Sequence, residues 1–163
     1  MREEKQKILI IDDEANTLKV LSTFLKKEGY LVLTASDADE AWKKMNSTDV
    51  NLVITDLKLP GKSGLDILQE IMDCRPGIKV IIITAYGSIN NAVQAMKLGA
   101  YNYLTKPVNL EELSMLVQKA LERKNLEQEN VELKKQLRER YSLGGIVGKS
   151  KPMQDLFDLV ERI

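Results

Sequence analysis

The residues of this chain best suited to chemistry are carboxylates placed where apolar runs end. Asp12 and Asp13 follow Ile8 to Ile11, and Asp56 follows Leu52 to Thr55, with the turn signal Pro60-Gly61 just beyond. Asp56 is therefore expected where a buried strand emerges into a loop, a position from which a carboxylate can attack phosphorus as a nucleophile. Thr84 follows Val80 to Ile83, and Lys106-Pro107 follows Tyr101 to Leu104. If these strand ends converge, the carboxylates repel one another unless a cation sits among them, and hard oxygen donors of this kind suit Mg²⁺. Thr84 would offer a hydroxyl, and Lys106 an ammonium, to the oxygens of a phosphoryl group on Asp56.

Taken singly, each of these residues has a plainer reading. Asp12 or Asp13 would serve as a helix cap, Asp56 as a turn carboxylate, Thr84 as a strand residue and Lys106 as a solvated charge. The set is more demanding than any member: an acidic pair after the first strand, Asp after the third, Thr after the fourth and Lys-Pro after the fifth. Composition narrows the alternatives. There is no histidine, and Cys74 is the one cysteine, which excludes histidine catalysis, haem ligation, cysteine metal clusters and an internal disulfide. A lone thiol agrees with a reducing compartment, and a bacterial-type cytoplasm is the expected location. Basic and acidic residues both total 24, so no global field draws the chain to nucleic acid or a membrane. No apolar run approaches the roughly 18 residues of a membrane span, and no signal peptide is visible.

The elements that must position these residues alternate. Ile8 to Ile11, Tyr30 to Thr34, Leu52 to Thr55, Val80 to Ile83 and Tyr101 to Leu104 read as strands. Between them lie helical patterns: Ala15 to Glu28, Asp37 to Met45 with Asp37 as cap, a third built on Leu65, Ile67, Leu68, Ile71 and Met72, and Ser88 to Leu98 with Val93 and Met96 inward. Apolar strands separated by helices imply a parallel sheet covered on both faces, a doubly wound α/β domain over residues 5–122. Such sheets bind ligands beyond the carboxyl ends of their strands, where the candidate residues fall.

With Asp12-Asp13, Asp56, Thr84-Ala85, Tyr103 and Lys106-Pro107 in this order, the chain resembles the response-regulator receiver domains of two-component signalling. The resemblance implies a five-stranded flavodoxin-like (βα)5 fold with phosphorylation on Asp56. It also implies Mg²⁺ held by Asp12, Asp13, Asp56 and the Lys58 backbone carbonyl, and a sensor histidine kinase or a small phosphodonor as source. Thr84 and Tyr103 would be the switch residues, and a cis Lys106-Pro107 peptide is expected. Small Ala85 leaves room for a donor, while Lys58 and Tyr86 are expected to slow water. Lys62 stands where such receivers often carry an apolar residue. A phosphohydrolase of similar fold would want an acid two residues after its nucleophile, where Lys58 stands. A flavin or nucleotide site would not open on Asp12-Asp13-Glu14.

From Asn109 to about Arg140 no Gly or Pro interrupts a helical pattern. Leu113, Leu116, Val117, Ala120 and Leu121 form a stripe expected to pack on the receiver or on a partner receiver. Leu126, Asn130, Leu133 and Leu137 then recur at four, three and four, a short heptad seam over residues 123–143 that suits a parallel homodimer. Residues 144–163 resemble the opening of the AAA+ domain of nitrogen-regulatory-type, sigma-54-dependent activators. Gly148-Lys149-Ser150 lacks the upstream glycines of a phosphate-binding loop and reads as structural. The expected role is regulatory, with only slow self-catalysed phosphoryl transfer and dephosphorylation. ATPase activity and contacts with ATP, sigma-54 RNA polymerase and DNA are expected of residues beyond this chain. The alternative is a receiver with another output, or one acting alone through protein contacts.

Overall fold

In the computed structural model, residues 5–142 are described, apart from the side chains of 123–125, 127–128 and 139–142. Five strands and five helices alternate: β1 (Lys7–Ile11), α1 (Ala15–Lys27), β2 (Leu31–Ala35), α2 (Ala38–Ser47), β3 (Leu52–Asp56), α3 (Gly64–Cys74), β4 (Lys79–Thr84), α4 (Ile89–Leu98), β5 (Asn102–Thr105) and α5 (Leu110–Ser142). The strands are all parallel in the order β2-β1-β3-β4-β5. The winding therefore reverses between β1 and β3, which places the ends carrying Asp12 and Asp56 side by side at the switch point.

Strand pleating sorts the core into two layers. Leu9, Ile11, Val53, Val80 and Ile82 face Ala41 and Met45 of α2, Ile67, Leu68 and Ile71 of α3, and Ala95 of α4. Ile8, Ile10, Leu52, Ile54, Ile81 and Ile83 face Leu21 and Leu25 of α1 and Leu113, Val117, Ala120 and Leu121 of α5, with Leu116 half-buried against them. The apolar strands are thus buried on both faces, which is why they read as unbroken runs rather than as alternation.

Local signals set the helix ends. Asp37 and Ser88 accept from the amides of Glu40 and Asn91, and Ser63 with Asp66 forms a reciprocal capping box at α3. Gly99, at φ +107°, closes α4 in the left-handed region. One expectation fails at α4: Val93 and Met96 are 46% and 50% exposed, and Ile89 of the same face is 84% exposed. The helix docks through Ala95, with Leu98 half-buried beside it. The small Ala95 side chain at the contact lets the helix backbone approach the core, and the stripe of Ile89, Val93 and Met96 is turned outward.

Lys62 is accommodated by charge rather than by apolar packing. Its ammonium pairs with Glu70 Oε1 at 2.5 Å, while Trp42 Nε1 donates to Glu70 Oε2 at 2.7 Å, tying the β3–α3 loop to α3 and α2. Compactness divides the chain into a first unit ending at Leu121 and a second beginning at Glu122. In the second unit Leu126 and Leu133 are each 58% exposed, and Asn130 and Leu137 are half-buried. Residues 143–163, including the stretch that resembles the start of an AAA+ domain, lie outside the described residues.

Candidate phosphoacceptor and metal site

Asp12, Asp13 and Asp56 each offer a carboxylate oxygen within 4.8 Å of the others, the only such acidic group among the described residues. Asp12 and Asp56 are 3% and 7% exposed, and Asp13 is open to solvent. The Lys106 ammonium bridges the two buried acids, 2.9 Å from Asp12 Oδ2 and 3.0 Å from Asp56 Oδ2. The other oxygens are held by backbone: the Glu14 amide donates to Asp12 Oδ1 at 2.9 Å and the Lys58 amide to Asp56 Oδ1 at 3.2 Å. Neither acid of the pair caps α1, whose N-cap is Glu14. The Lys106-Pro107 peptide is cis.

Burial alone would pull the Lys106 ammonium down, but its hydrogen bonds to Asp12 and Asp56, together with their charges, hold it above the ordinary lysine range. Burial pushes the Asp12 carboxyl up; the Glu14 amide and Lys106 oppose this, and the Asp56 charge adds to it. One ammonium facing three carboxylates leaves a surplus of negative charge on hard oxygen donors, an arrangement that fits a divalent cation such as Mg²⁺. A carboxyl whose value is raised by folding costs stability while ionised, and that cost disappears as pH falls through its raised value toward the unfolded one. With metal chelated, wild type is therefore expected to lose less stability than Asp12→Asn on acidification across that window, as read from urea midpoints.

Around this cluster, Thr84 is fully buried at the end of β4, and its Oγ1 accepts from the Tyr86 amide at 3.1 Å. The register of Asp56 with Ile83 puts Thr84 one residue past the phosphoacceptor candidate. Ala85 and Tyr86 are exposed on the loop that follows, and the Lys58 ammonium sits over the Tyr86 ring, 3.7 Å from its centroid. This cation–π contact joins the β3–α3 and β4–α4 loops. Tyr103 is half-buried on β5; its hydroxyl is buried and has no hydrogen-bond partner of good geometry among the described residues. Burial pushes the phenol up, against a smaller pull from the nearby Ser88 amide, and the Asp56 charge adds to the rise.

Three residues of this region had not been singled out from sequence. A Cβ on Gly64 would lie 2.2 Å from the Asp56 carbonyl oxygen, so only glycine allows α3 to begin against the back of Asp56. A Cβ on Gly87 would meet Thr105 Cγ2 at 2.6 Å, beside the Tyr103 ring. Glu14 Oε1 stands 3.9 Å from the Lys106 ammonium. The available signals were faint: a glycine four residues past a Pro-Gly pair's proline, a glycine after Thr84-Ala85-Tyr86, and a third acid after the first two.

The family described as the response regulator receiver domain matches residues 8–118. The chain belongs to that family. It is 36% identical to the response regulator protein PilR of Pseudomonas aeruginosa over 159 residues, 98% of this chain and 34% of PilR. Among solved structures, NtrX from Brucella abortus in complex with ADP is similar over 98% of this chain and 34% of that one, at 32% identity and a TM-score of 0.75. The beryllofluoride-activated NtrC4 receiver domain dimer is similar over 72% of this chain and 98% of that one, at 34% identity and a TM-score of 0.70. The receiver-family chain spans about a quarter to a third of the curated relatives it matches. Among the described residues, no helix is long and apolar enough to cross a membrane.

Proposed function

We propose that this receiver accepts a phosphoryl group on Asp56 in a Mg²⁺-dependent reaction, with a sensor histidine kinase as donor and a sigma-54-dependent transcription activator as output. The observation that carries the reading is the joining of Asp12, Asp13 and Asp56 at the sheet's switch point, with Lys106 bridging two of them. Asp12, Asp13, Asp56 and the Lys58 carbonyl would hold the metal. When bound, Mg²⁺ supplies neutralising charge for the acidic cluster and for an incoming phosphoryl donor.

An Asp56 carboxylate oxygen forms the new bond to phosphorus, and the donor's bond to phosphorus breaks with the leaving group taking the electron pair. Lys106 is already hydrogen-bonded to Asp56, so its ammonium is in place to meet the added charge. Thr84 accepts from an amide and keeps its own O–H to donate to a phosphate oxygen. The Tyr103 ring already packs against the core with its hydroxyl buried, and it would complete the switch by holding that inward position as Thr84 is drawn to the phosphate. Phosphoryl incorporation from acetyl phosphate, followed by mass spectrometry, tests this reading. Incorporation with Mg²⁺ and none in chelator is the expected result, and metal-independent labelling would overturn it.

Lys58, two residues past Asp56, and Tyr86, joined to it by the cation–π contact, would shield the acyl phosphate from water. Lys58→Ala and Tyr86→Ala are each expected to shorten the phosphoryl half-life about two- to fivefold, the scale of an exposed cation–π contact. Unchanged half-lives would remove both residues from that role.

Residues 123–143 act as the linker, with Leu126, Asn130, Leu133 and Leu137 as the seam of a homodimer that restrains the output before phosphorylation. Exposed Leu126 and Leu133 support that seam; the similar NtrC4 receiver is a dimer in its beryllofluoride-activated form, which supports dimerisation by this family but not its timing. Sedimentation of the chain with and without beryllofluoride tests the restraint: a dimer before activation is expected, and a monomer would sink it. ATP, sigma-54 RNA polymerase and DNA would be engaged by residues outside this chain, a reading supported by similarity to PilR and NtrX that covers 98% of this chain but 34% of each of them. The receiver is regulatory, and its own chemistry ends with taking up and losing the phosphoryl group.

A further inference from the structure

Lys106 occupies the oxygens that a metal would need. Its ammonium lies on Asp12 Oδ2 and Asp56 Oδ2, two of the three carboxylates that would ligate a divalent cation. A cation arriving there draws on the same lone pairs and repels the ammonium. Lys106 is only 14% exposed at its side chain, so water does not fully replace what it gives up, and another anion must take it.

Among the described residues outside the metal set, Glu14 supplies the one carboxylate within ion-pair distance of Lys106. Its Oε1 stands 3.9 Å from Nζ, about 1 Å beyond a charged hydrogen bond. Its Oε2 accepts from Thr17 Oγ1 at 3.2 Å, which directs the free oxygen. Although Glu14 is the N-cap of α1, its side chain makes no bond to a helix amide, so only Oε2 is tied to the helix, through Thr17, and Oε1 is left on the Lys106 side.

We infer that Glu14 is a positioning residue: it receives the Lys106 ammonium as a divalent cation takes over Asp12, and so lowers the cost of loading the site. The inference rests on the metal reading above. It also separates two roles for Lys106, which compensates the acids before metal enters and stays beside Asp56 afterwards.

Glu14 is 63% exposed at its side chain, so its direct field on the metal is largely screened, and its effect should run through Lys106. Calorimetric titration of the full chain with Mg²⁺ tests this in a four-way cycle of wild type, Glu14→Gln, Lys106→Met and the double variant. In the wild-type background Glu14→Gln is expected to weaken Mg²⁺ binding about two- to fivefold, the scale of an exposed ion pair. Lys106→Met should tighten binding, and adding Glu14→Gln to it should change nothing further. Equal weakening in both backgrounds, or none in either, overturns the inference. If Lys106→Met does not fold, hydrogen exchange of the Lys106 ammonium in Mg²⁺-loaded protein, followed by nitrogen-15 NMR, replaces it. Faster exchange in Glu14→Gln than in wild type is expected, and equal exchange overturns the role. Failure of wild type to bind Mg²⁺ would instead overturn the metal reading itself.

Discussion

Asp56→Asn is expected to abolish phosphoryl incorporation from any donor while leaving the fold intact. The substitution keeps the shape of the side chain and one oxygen, so the Lys58 amide or Lys106 retains an acceptor, but it removes the anionic nucleophile. Loss should be complete rather than partial, because Asp12 and Asp13, the neighbouring carboxylates, would be holding the metal. Intact mass after incubation with acetyl phosphate and Mg²⁺ measures it. A phosphorylated Asp56→Asn chain, with the group mapped to Asp12 or Asp13, would move the acceptor off β3 and overturn the assignment. The variant has a second consequence: without the Asp56 charge, one cause of the raised Asp12 carboxyl is gone. Its metal-free stability should therefore fall more than that of wild type on acidification through the Asp12 titration, because less of the loss is offset.

The inner strands β1, β3 and β4 were legible because parallel sheets bury both faces, so each is a run of apolar residues with little competing periodicity, whereas the edge strands β2 and β5 are only partly buried. The five-stranded doubly wound sheet follows from that pattern, and strand ends differ from expectation by a residue or so. The gathering of Asp12, Asp13, Asp56 and Lys106 was legible for the same reason, since topology alone sends those strand ends to one edge. At α4 the sequence misleads. Ile89, Val93 and Met96 form the more hydrophobic stripe, yet burial goes to Ala95 on the other side, because close approach to the sheet is worth more there than side-chain bulk. Lys62 shows a related limit: its partner Glu70 lies eight residues away across a turn, and only the fold brings them together. Glu14 and Gly64 act through distances of ångströms to a side chain or a carbonyl, which no spacing in the sequence encodes.

Gly64 carries the largest structural consequence. Its φ is not in the left-handed region, so the need for glycine there is spatial and not conformational. An added Cβ would lie 2.2 Å from the Asp56 oxygen, 3.0 Å from the Asp56 carbonyl carbon and 3.0 Å from Leu57 Cα, all backbone atoms that cannot turn aside. The Gly64 amide also donates to the Leu57 carbonyl at 2.7 Å, so the helix start and the acceptor loop are bonded as well as packed. Gly64→Ala is expected to destabilise the fold by about 3 kcal/mol, in the range of overpacked cores. That corresponds to a melting temperature lower by roughly 10–15 °C for a domain of this size. Gly61, three residues earlier, provides the contrast. Its φ is +82° and nothing lies near an added Cβ, so Gly61→Ala meets only the left-handed penalty of about 1–2 kcal/mol. The two variants also separate in chemistry. Relief of the Gly64→Ala clash must displace the backbone of Asp56, so the folded fraction should accept phosphate more slowly, whereas Gly61→Ala should leave the rate per folded molecule near wild type. Equal rates in the two variants, normalised for folded protein, would show that α3 does not set the position of Asp56.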